Sequence, residues 1–538
     1  MADRDVPVLI AGGSLVGLST AMLLGHHGVR SLVVEHHRGT AIHPRAAQVT
    51  QRTMEILREV GIEQIVRSRS EEQFVQDGAI MAVESLAGRE LTFFIANLNE
   101  GIRDVSPSER VFISQSLLEP QLKSRAEALG AELMFGTDLV SCEQRDGEVT
   151  AVIGTRDGGQ QQTIRAAYLV AADGAHSSIR SRLGIGMRGR GTFSKSVTIY
   201  FQADVAPLLR GRNLSVIYVN HPELRGFIRV EKPFDRGFLA VNALGDPARP
   251  ETDVATGLTS ERCIELVRLA LGVDDLPVTI DTVMPWNAEA SVAERMREGR
   301  VFLAGDSAHV MPPNGGFGGN TGVQDAHNLA WKLSMVLSGS ADPALLSTYE
   351  AERLPVGAFT TEQAYSRYVT RTAPYLGTDG IDPVANDLEV ELGYVYSSTA
   401  ICLEGSERPS HEHPRGSKGR PGARAPHVWL ERGRQHISTL DLFGRRFVLL
   451  AAAAGAAWCE AARTFAQGNG LAVDVHRIGA EGLLDPEGGF DNAYGLEPEG
   501  AVIVRPDGFV GWRAKGRPQD GGGARELQRA FDILTCRK

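Results

Sequence analysis

Two strand ends in this chain carry a carboxylate beside a glycine. Residues 167–172 form an apolar run that ends in Asp173-Gly174, and residues 301–304 form another that ends in Gly305-Asp306. A carboxylate at such a place can hold sugar hydroxyls, because its acceptor oxygens face the space beyond the strand while the apolar run stays buried. After Asp306, a loop containing Pro313, Gly318 and Gly319 leads into a helix expected to open at Asn320-Thr321. The unpaired N–H groups of a helix N-terminus stabilise negative charge, so a sugar-binding acid and an anion-binding turn fall close together. A third candidate stands near the N-terminus. Gly12-Gly13-Ser14-Leu15-Val16-Gly17 lies between an apolar run and a helical pattern, the context a dinucleotide-binding glycine turn requires.

The elements that must position these residues follow from periodicity and punctuation. Residues 6–11 read as a buried strand. The helix after the glycine turn runs to about His27 with Gly28 as its stop, and residues 29–34 form a second strand that delivers Glu35. Ser14 replaces the usual second glycine; it is small enough for a pyrophosphate to approach, though less comfortably. Glu35 lies 18 positions after Gly17. An acid there binds the ribose hydroxyls of an adenosine half and disfavours a 2′-phosphate, so FAD or NAD suits the site better than NADP. In the helix after Asn320, Val323, Ala326, Leu329, Ala330, Leu333 and Leu337 share one face. From about 184 to 300, stretches such as VTIYFQADV and GFIRVEK alternate, which predicts an antiparallel sheet with one covered face. Ser260 is the expected N-cap of a helix through SERCIELVRLALG, with Glu261 in its first turn. Residues 343–376 read as helical. Beyond a polar Pro/Gly/Arg-rich stretch at 404–426, strands surround a helix at about 457–467.

A chain of 538 residues predicts two or three domains, and 42% apolar with 23% charged residues places it among globular proteins. The net charge of −10 argues against a nucleic-acid or anionic-membrane partner. Five scattered cysteines without a CxxC suit a reducing cytoplasm better than a disulfide framework. No signal-peptide pattern precedes the first strand, and no apolar run reaches the roughly 18 residues of a membrane span. His411-Glu412-His413 lacks a helical frame and cysteine partners, so no metal site is expected.

With Asp-Gly and Gly-Asp strand ends downstream of a glycine turn, the chain resembles the single-component flavoprotein aromatic hydroxylases typified by para-hydroxybenzoate hydroxylase. Across almost its whole length it is similar to the actinomycete aromatic polyketide hydroxylases of the tetracenomycin and anthracycline type. The shared stretches are GGSLVGLST, AIHPRA, SQSLLEP, LVAADG, LAGDSAH, NTGVQDAHNLAWKL and VRPDGFVGWR. The resemblance implies an α/β fold: a Rossmann-like FAD domain of residues 1–183 plus 284–403, an antiparallel-sheet substrate domain of 184–283, a linker of 404–426, and a thioredoxin-like C-terminal domain of 427–538. It also implies FAD contacts from Gly12, Ser14, Leu15, Gly17, Glu35, Arg45, Gln115, Asp173, Asp306, Pro313, Gly318, Gly319 and Asn320. Among these, Asp306 would hold the ribityl chain with Gln115 near it, Asp173 would lie beside the pyrophosphate, and Arg45 near the flavin.

In the anthracycline hydroxylases a tyrosine in a YxxHPE context and an arginine before Ala-Pro are implicated in handling the substrate phenol. Tyr218 and Arg371 match them and are the catalytic candidates, although a strand tyrosine also serves as packing and Arg371 could equally cap a helix C-terminus. The implied chemistry is that NADPH, bound transiently, reduces FAD and oxygen adds at flavin C4a. The hydroperoxide then hydroxylates or rearranges a polycyclic aromatic polyketide, in a cytoplasmic monomer or homodimer. A simple phenol hydroxylase of aromatic catabolism and a non-catalytic flavin-binding protein would keep the same motifs. A flavin-dependent halogenase should show a WxWxIP stretch, which MPWNAEA does not supply. The C-terminal domain carries only Cys459 in WCEA, so a structural or assembly role is expected there rather than thiol exchange.

Overall fold

The computed structural model describes residues 3–43, 48–145, 147–156, 158–242, 258–405, 409–480, 482–518 and 522–537. Its apolar runs become the centre of an eight-stranded sheet. There Val301–Leu303, Gln161–Ala171, Arg4–Ala11, Ser31–Glu35 and Glu132–Phe135 lie side by side and parallel. Ser31–Glu35 is buried throughout, as strands of a parallel sheet covered on both faces must be. Helix Leu15–His26 follows the glycine turn, and Gly28 at φ 77° takes the left-handed conformation that ends it. The strand order therefore brings three strand ends together: Ala11, Ala171 and Leu303 are aligned neighbours.

The second eight-stranded sheet runs His309–Val310, Thr279–Ala293, Met187–Gln202, Arg236–Asn242, Leu224–Glu231, Leu214–His221, Ala79–Val83 and Glu90–Ile95. Neighbours are antiparallel except Leu214–His221 against Ala79–Val83, which are parallel. The alternation of the middle region is realised, but strands from residues 79–95 and 309–310 join its edges, which no local pattern announces. Val197, Ile199, Phe201, Ile217, Val219, Ile228, Leu239 and Val241 face helix Ser260–Leu271 in one core. Each such side chain, fully buried, stabilises the fold by about 1.5–3 kcal/mol. Tyr200, Tyr218, Phe227 and Phe238 occupy the alternate positions and face the other way. The cap of this helix is Thr259, whose hydroxyl accepts from the Arg262 amide at 3.2 Å, with Ser260 already inside.

The long helix is Phe317–Leu337, opening three residues before the expected Asn320 because Gly316 adopts φ 67° at its N-cap. Every residue from Asn320 to Leu333 is buried. The apolar face read from the sequence is thus only part of its burial, since helix Thr348–Arg371 and the C-terminal region cover its polar side. In that region Val473–Arg477, Phe447–Ala451, Ala501–Val504 and Val510–Ala514 form a sheet in that order, the first pair parallel and the others antiparallel. Helices Ala456–Asn469 and Gly523–Leu534 pack on it together, with Phe465 and Phe531 stacked at 4.4 Å. This is the strand order and direction of a thioredoxin-like domain, and Cys459 is buried in it. Among the described residues no helix is long and apolar enough to cross a membrane.

Candidate functional site

The glycine turn is built by exclusion. Gly12 has φ 103°, and a Cβ on it would lie 2.2 Å from the Ala172 carbonyl oxygen; one on Gly17 would lie 1.8 Å from the Gly12 carbonyl oxygen. Neither position admits a side chain. The first helical bond runs from the Leu18 amide to the Ser14 carbonyl at 2.9 Å, so the amides of Leu15, Val16 and Gly17 have no acceptor within the helix. Glu35 ends its strand beside this turn, accepting from the Gly13 amide at 2.5 Å and the His37 amide at 2.7 Å. The Ser14 hydroxyl donates to Glu119 at 2.5 Å and accepts from the Gln115 side chain at 2.8 Å. Glu119 also accepts from Gln115 and from the Ala41 amide, both at 2.7 Å.

The other two strand ends meet the same volume. Asp173 accepts from the Ser177 hydroxyl at 2.6 Å and the Ile179 amide at 3.2 Å, which fixes the turn into helix Ser178–Arg182. From that helix Arg180 donates to the Ser307 carbonyl at 2.9 Å, tying the Asp-Gly end to the Gly-Asp end. Gly305 has φ 63°, and a Cβ there would lie 2.6 Å from Val16; one on Gly319 would lie 2.6 Å from Leu15. The N-termini of helices Leu15–His26 and Phe317–Leu337 therefore open side by side. The Asp306 side chain is open to solvent, yet enough protein surrounds it that desolvation raises its carboxyl above the ordinary value, against the pull of His309. A carboxylate at the mouth of a recess satisfies both facts, and among the described residues it has no hydrogen-bond partner. An acid without a protein partner, unfilled helix amides and glycines that admit no Cβ fit an FAD whose pyrophosphate meets the helix ends and whose hydroxyls meet the acids.

The Asn320 side chain is engaged within the protein. Its amide nitrogen donates to the carbonyls of Gln48 (2.9 Å) and Gly316 (2.7 Å), and its oxygen accepts from the Thr50 amide at 3.0 Å. The side chain is a bracket that locks residues 48–50 onto the helix start, leaving backbone groups for any ligand. Pro313 is exposed in the loop before it, its carbonyl accepting from the Gly316 amide at 2.9 Å. Gly318 and Gly319 fall in the first helical turn. Arg45 lies outside the described residues.

Across the second sheet the alternate face carries a row of rings: Tyr200, Phe238, Phe227, Tyr218 and Phe94. Successive centroid separations are 5.9, 5.8, 6.1 and 5.6 Å, all within the range of attractive aromatic pairs. Ala82 stands opposite Tyr218 on the intervening strand, small enough to let Phe94 reach over it. Arg371 is the last residue of helix Thr348–Arg371, its guanidinium 5.5 Å from the Phe94 ring centroid. Phe94 thus brings the two catalytic candidates, Tyr218 and Arg371, to one ring. The Tyr218 hydroxyl has no hydrogen-bond partner among the described residues.

Residues 5–364 match the family described as FAD binding domain, and residues 418–533 the family described as aromatic-ring hydroxylase, C-terminal. Over 99% of its length the chain is 51% identical to 98% of a 4-methyl-5-nitrocatechol 5-monooxygenase from a Burkholderia species. It is 38% identical to the tetracenomycin A2 monooxygenase-dioxygenase of Streptomyces glaucescens, covering 100% of this chain and 98% of that relative. The crystal structure of aklavinone-11 hydroxylase in ternary complex with FAD and aklavinone superposes with a TM-score of 0.93 over all of both chains, at 38% identity. The chain belongs to the FAD-dependent aromatic-ring monooxygenases.

Beneath the flavin side of this monooxygenase lies a charge network that sequence reading missed. Asp325 on the long helix accepts from the Gly305 amide (3.0 Å), pairs with His309 (2.7 Å) and accepts from Arg353 (2.7 Å). Burial pushes its carboxyl up, but His309 and Arg353 outweigh this and hold it below the ordinary value. Next to it Glu352 receives Arg505 through both oxygens (2.7 and 2.8 Å) and Lys332 at 2.8 Å. Arg505 belongs to the C-terminal domain, which therefore braces helix Thr348–Arg371 and, through Lys332 and Asn328 on Glu352, the long helix whose first turn carries Gly318 and Gly319. Arg424, in the stretch read as a linker, binds the buried Glu55, so that stretch is anchored rather than free. Of the acids other than Glu35, Asp173 and Asp306 that steady the site, Glu119 alone left a local signal: it stands four residues after Gln115 on helix Gln115–Ala128. The His411 ring stacks on Phe359 at 3.4 Å, and the His413 ring accepts from the Arg415 amide at 3.3 Å, which gives both histidines structural work.

Proposed function

We propose that this monooxygenase oxygenates a fused-ring phenol lying flat against the row from Tyr200 to Phe94, with NADPH as the electron donor and molecular oxygen as the oxygen source. The aromatic row carries this reading, because five neighbouring rings, each inclined to the next, line a length that one small phenol would not need. Gly12, Ser14, Leu15, Gly17, Glu35, Gln115, Asp173, Asp306, Pro313, Gly318, Gly319, Asn320 and Arg45 are its proposed cofactor residues. FAD supplies the reduction and oxygen activation when bound there. The chain's own groups orient the ring, exclude water and help a phenol lose its proton. Tyr218 accepts or donates a hydrogen bond at the substrate hydroxyl, and Arg371 holds the far side of the ring over Phe94. We further propose a division into an FAD unit, a substrate sheet and a C-terminal brace, and a cytoplasmic setting, consistent with five cysteines that form no disulfide.

A second reading is favoured by the 51% identity to the nitrocatechol monooxygenase: the substrate is a small catechol bearing a nitro group. The FAD-loaded protein should be followed for NADPH oxidation with a tetracyclic hydroxyquinone and with 4-methyl-5-nitrocatechol, with products identified by mass and nitrite assayed. A product heavier by one oxygen from the tetracycle supports the first reading. Nitrite release supports the second, since oxygenation at a nitro-bearing carbon expels that group. NADPH oxidation stimulated by neither compound overturns both.

A further inference from the structure

Arg229 stands on strand Leu224–Glu231, two positions beyond Phe227 and hence on the same face as the aromatic row. It is 6% exposed. Its guanidinium lies 3.9 Å from the ring centroid of Phe112 and 5.2 Å from that of Phe74. Its Nε donates to the Ser215 carbonyl at 3.2 Å. Neither of its other two nitrogens has a hydrogen-bond partner among the described residues, and no carboxylate faces it. Glu231 on the same strand is taken by Gln73 at 3.1 Å, and the neighbouring Arg110 is paired with Glu391 at 2.8 Å. Among the described residues the one ionisable group that acts on it is Tyr218, on the adjacent strand; burial pushes Arg229 down to about 9, which leaves it cationic at neutral pH. Phe112 in turn pairs through Val111–Phe112 with Gln48–Val49, the piece that Asn320 locks to the start of the long helix. A buried cation with two donor groups unused therefore sits between the substrate face and the flavin side.

Burying an unpaired charge is strongly unfavourable, and a cation–π contact recovers only part of the loss. We propose that Arg229 binds the ionised hydroxyl of the aromatic substrate, so that the enzyme selects phenols able to bind as anions. This rests on the reading of the aromatic row as the substrate wall. It extends that reading by assigning the charge state of the ligand and the residue that reads it. Phenols acidified by a nitro or quinone group, which ionise near neutral pH, are the favoured class. Tyr218 would then hydrogen-bond the same oxygen from the other side.

The test uses FAD-loaded protein and 4-nitrocatechol, whose neutral and ionised forms differ in visible absorbance. A fixed cation at contact distance should lower the pKa of the bound probe by about 1–3 pH units relative to free probe. Arg229→Met should abolish this shift while the probe still binds, and Arg229→Lys should keep part of it. Arg229→Met should melt no lower than wild type, because it removes a buried charge without leaving an acid unpaired. A shift that persists in Arg229→Met overturns the assignment alone. So does a melting temperature that falls in both variants, the mark of a purely structural arginine. A probe that fails to bind wild type overturns the substrate-wall reading and this assignment with it.

Discussion

Glu352 and Arg229 are both removed from bulk water, and they are treated in opposite ways. Glu352 has Arg505, Lys332 and the Asn328 amide around its two oxygens, at 2.7–2.8 Å. Arg229 has two aromatic rings, one carbonyl and no acid. Between the long helix and the C-terminal domain the charges are mutually satisfied, which is what a region needs if it is to be rigid and do nothing else. On the aromatic face of the second sheet, two of the Arg229 nitrogens and the Tyr218 hydroxyl, and at the glycine turn the Asp306 carboxylate, have no hydrogen-bond partner among the described residues. Polar groups that folding leaves unmatched mark where a ligand completes the structure.

The contrast can be broken most severely from the satisfied side. Arg505→Met leaves Glu352 and Asp507 short of a buried partner, and breaking such a pair costs about 3–5 kcal/mol. Denaturant unfolding should show that loss, and FAD affinity should fall with it because the bracing of the long helix is weakened. The same network sets an acid limit. Burial raises the Glu352 pKa, but Arg505 and Lys332 outweigh it and hold the carboxyl well below the ordinary range. Its folded value lies below its unfolded one, so its contribution is complete above the unfolded pKa of about 4.3 and is lost as pH falls towards the folded value. Unfolding free energy should therefore drop between about pH 4.5 and pH 2 in wild type, and more gently in Arg505→Met.

From the unsatisfied side, the expected losses are of ligand affinity and rate with the fold intact. Asp306→Ala removes a carboxylate that accepts no hydrogen bond among the described residues. FAD affinity should fall about 10–100-fold, the worth of a hydrogen bond to a charged group, while the melting temperature of the apoprotein stays within about 2 °C. A drop in apoprotein stability of several degrees would move Asp306 to the structural class. Tyr218→Phe deletes a hydroxyl with no hydrogen-bond partner among the described residues. Stability should change by less than about 0.5 kcal/mol, and kcat/KM for the phenolic substrate should fall about tenfold or more if the hydroxyl handles the substrate proton. Unchanged turnover would make Tyr218 one more ring of the stacking row.

What the chain discloses in one dimension follows the same division. Gly12, Asp173 and Asp306 were legible because each motif is local: a strand, its end and a turn within a few residues. The alternation of VTIYFQADV and GFIRVEK gave the second sheet, and even the two faces can be read from it. Arg229 in that pattern reads as an ordinary polar outward position; its burial depends on Phe74 and Phe112, which lie more than a hundred residues earlier. The Glu352–Arg505 pair spans 153 positions, so no spacing announces it. The helix start expected at Asn320 falls three residues late, and the Asn320 side chain serves the Gln48–Val49 strand, a partner visible only in three dimensions. Ser260 missed the cap by one residue because threonine and serine adjoin and both can fill that role.

Ser14 is the subtlest test, because it departs from the glycine that usually stands there and belongs to both classes at once. Its hydroxyl is engaged by Glu119 and Gln115, which marks it as structural, and it lies in the turn where a pyrophosphate is expected. In Ser14→Gly, Glu119 keeps its contacts to Gln115 and to the Ala41 amide, so the acid is not stranded. The hydrogen bond to the Glu119 carboxylate and the one from the Gln115 amide are lost and one residue gains backbone freedom, together about 1–3 kcal/mol of stability. If the hydroxyl serves only this bracket, FAD binding should stay within about threefold of wild type, or tighten, because the glycine widens the approach. Equilibrium titration of apoprotein with FAD reads the difference. A tenfold or greater loss of affinity would mean that the serine hydroxyl itself leaves Glu119 to meet the cofactor, and that the bracket seen here is the resting arrangement of a ligand-binding group.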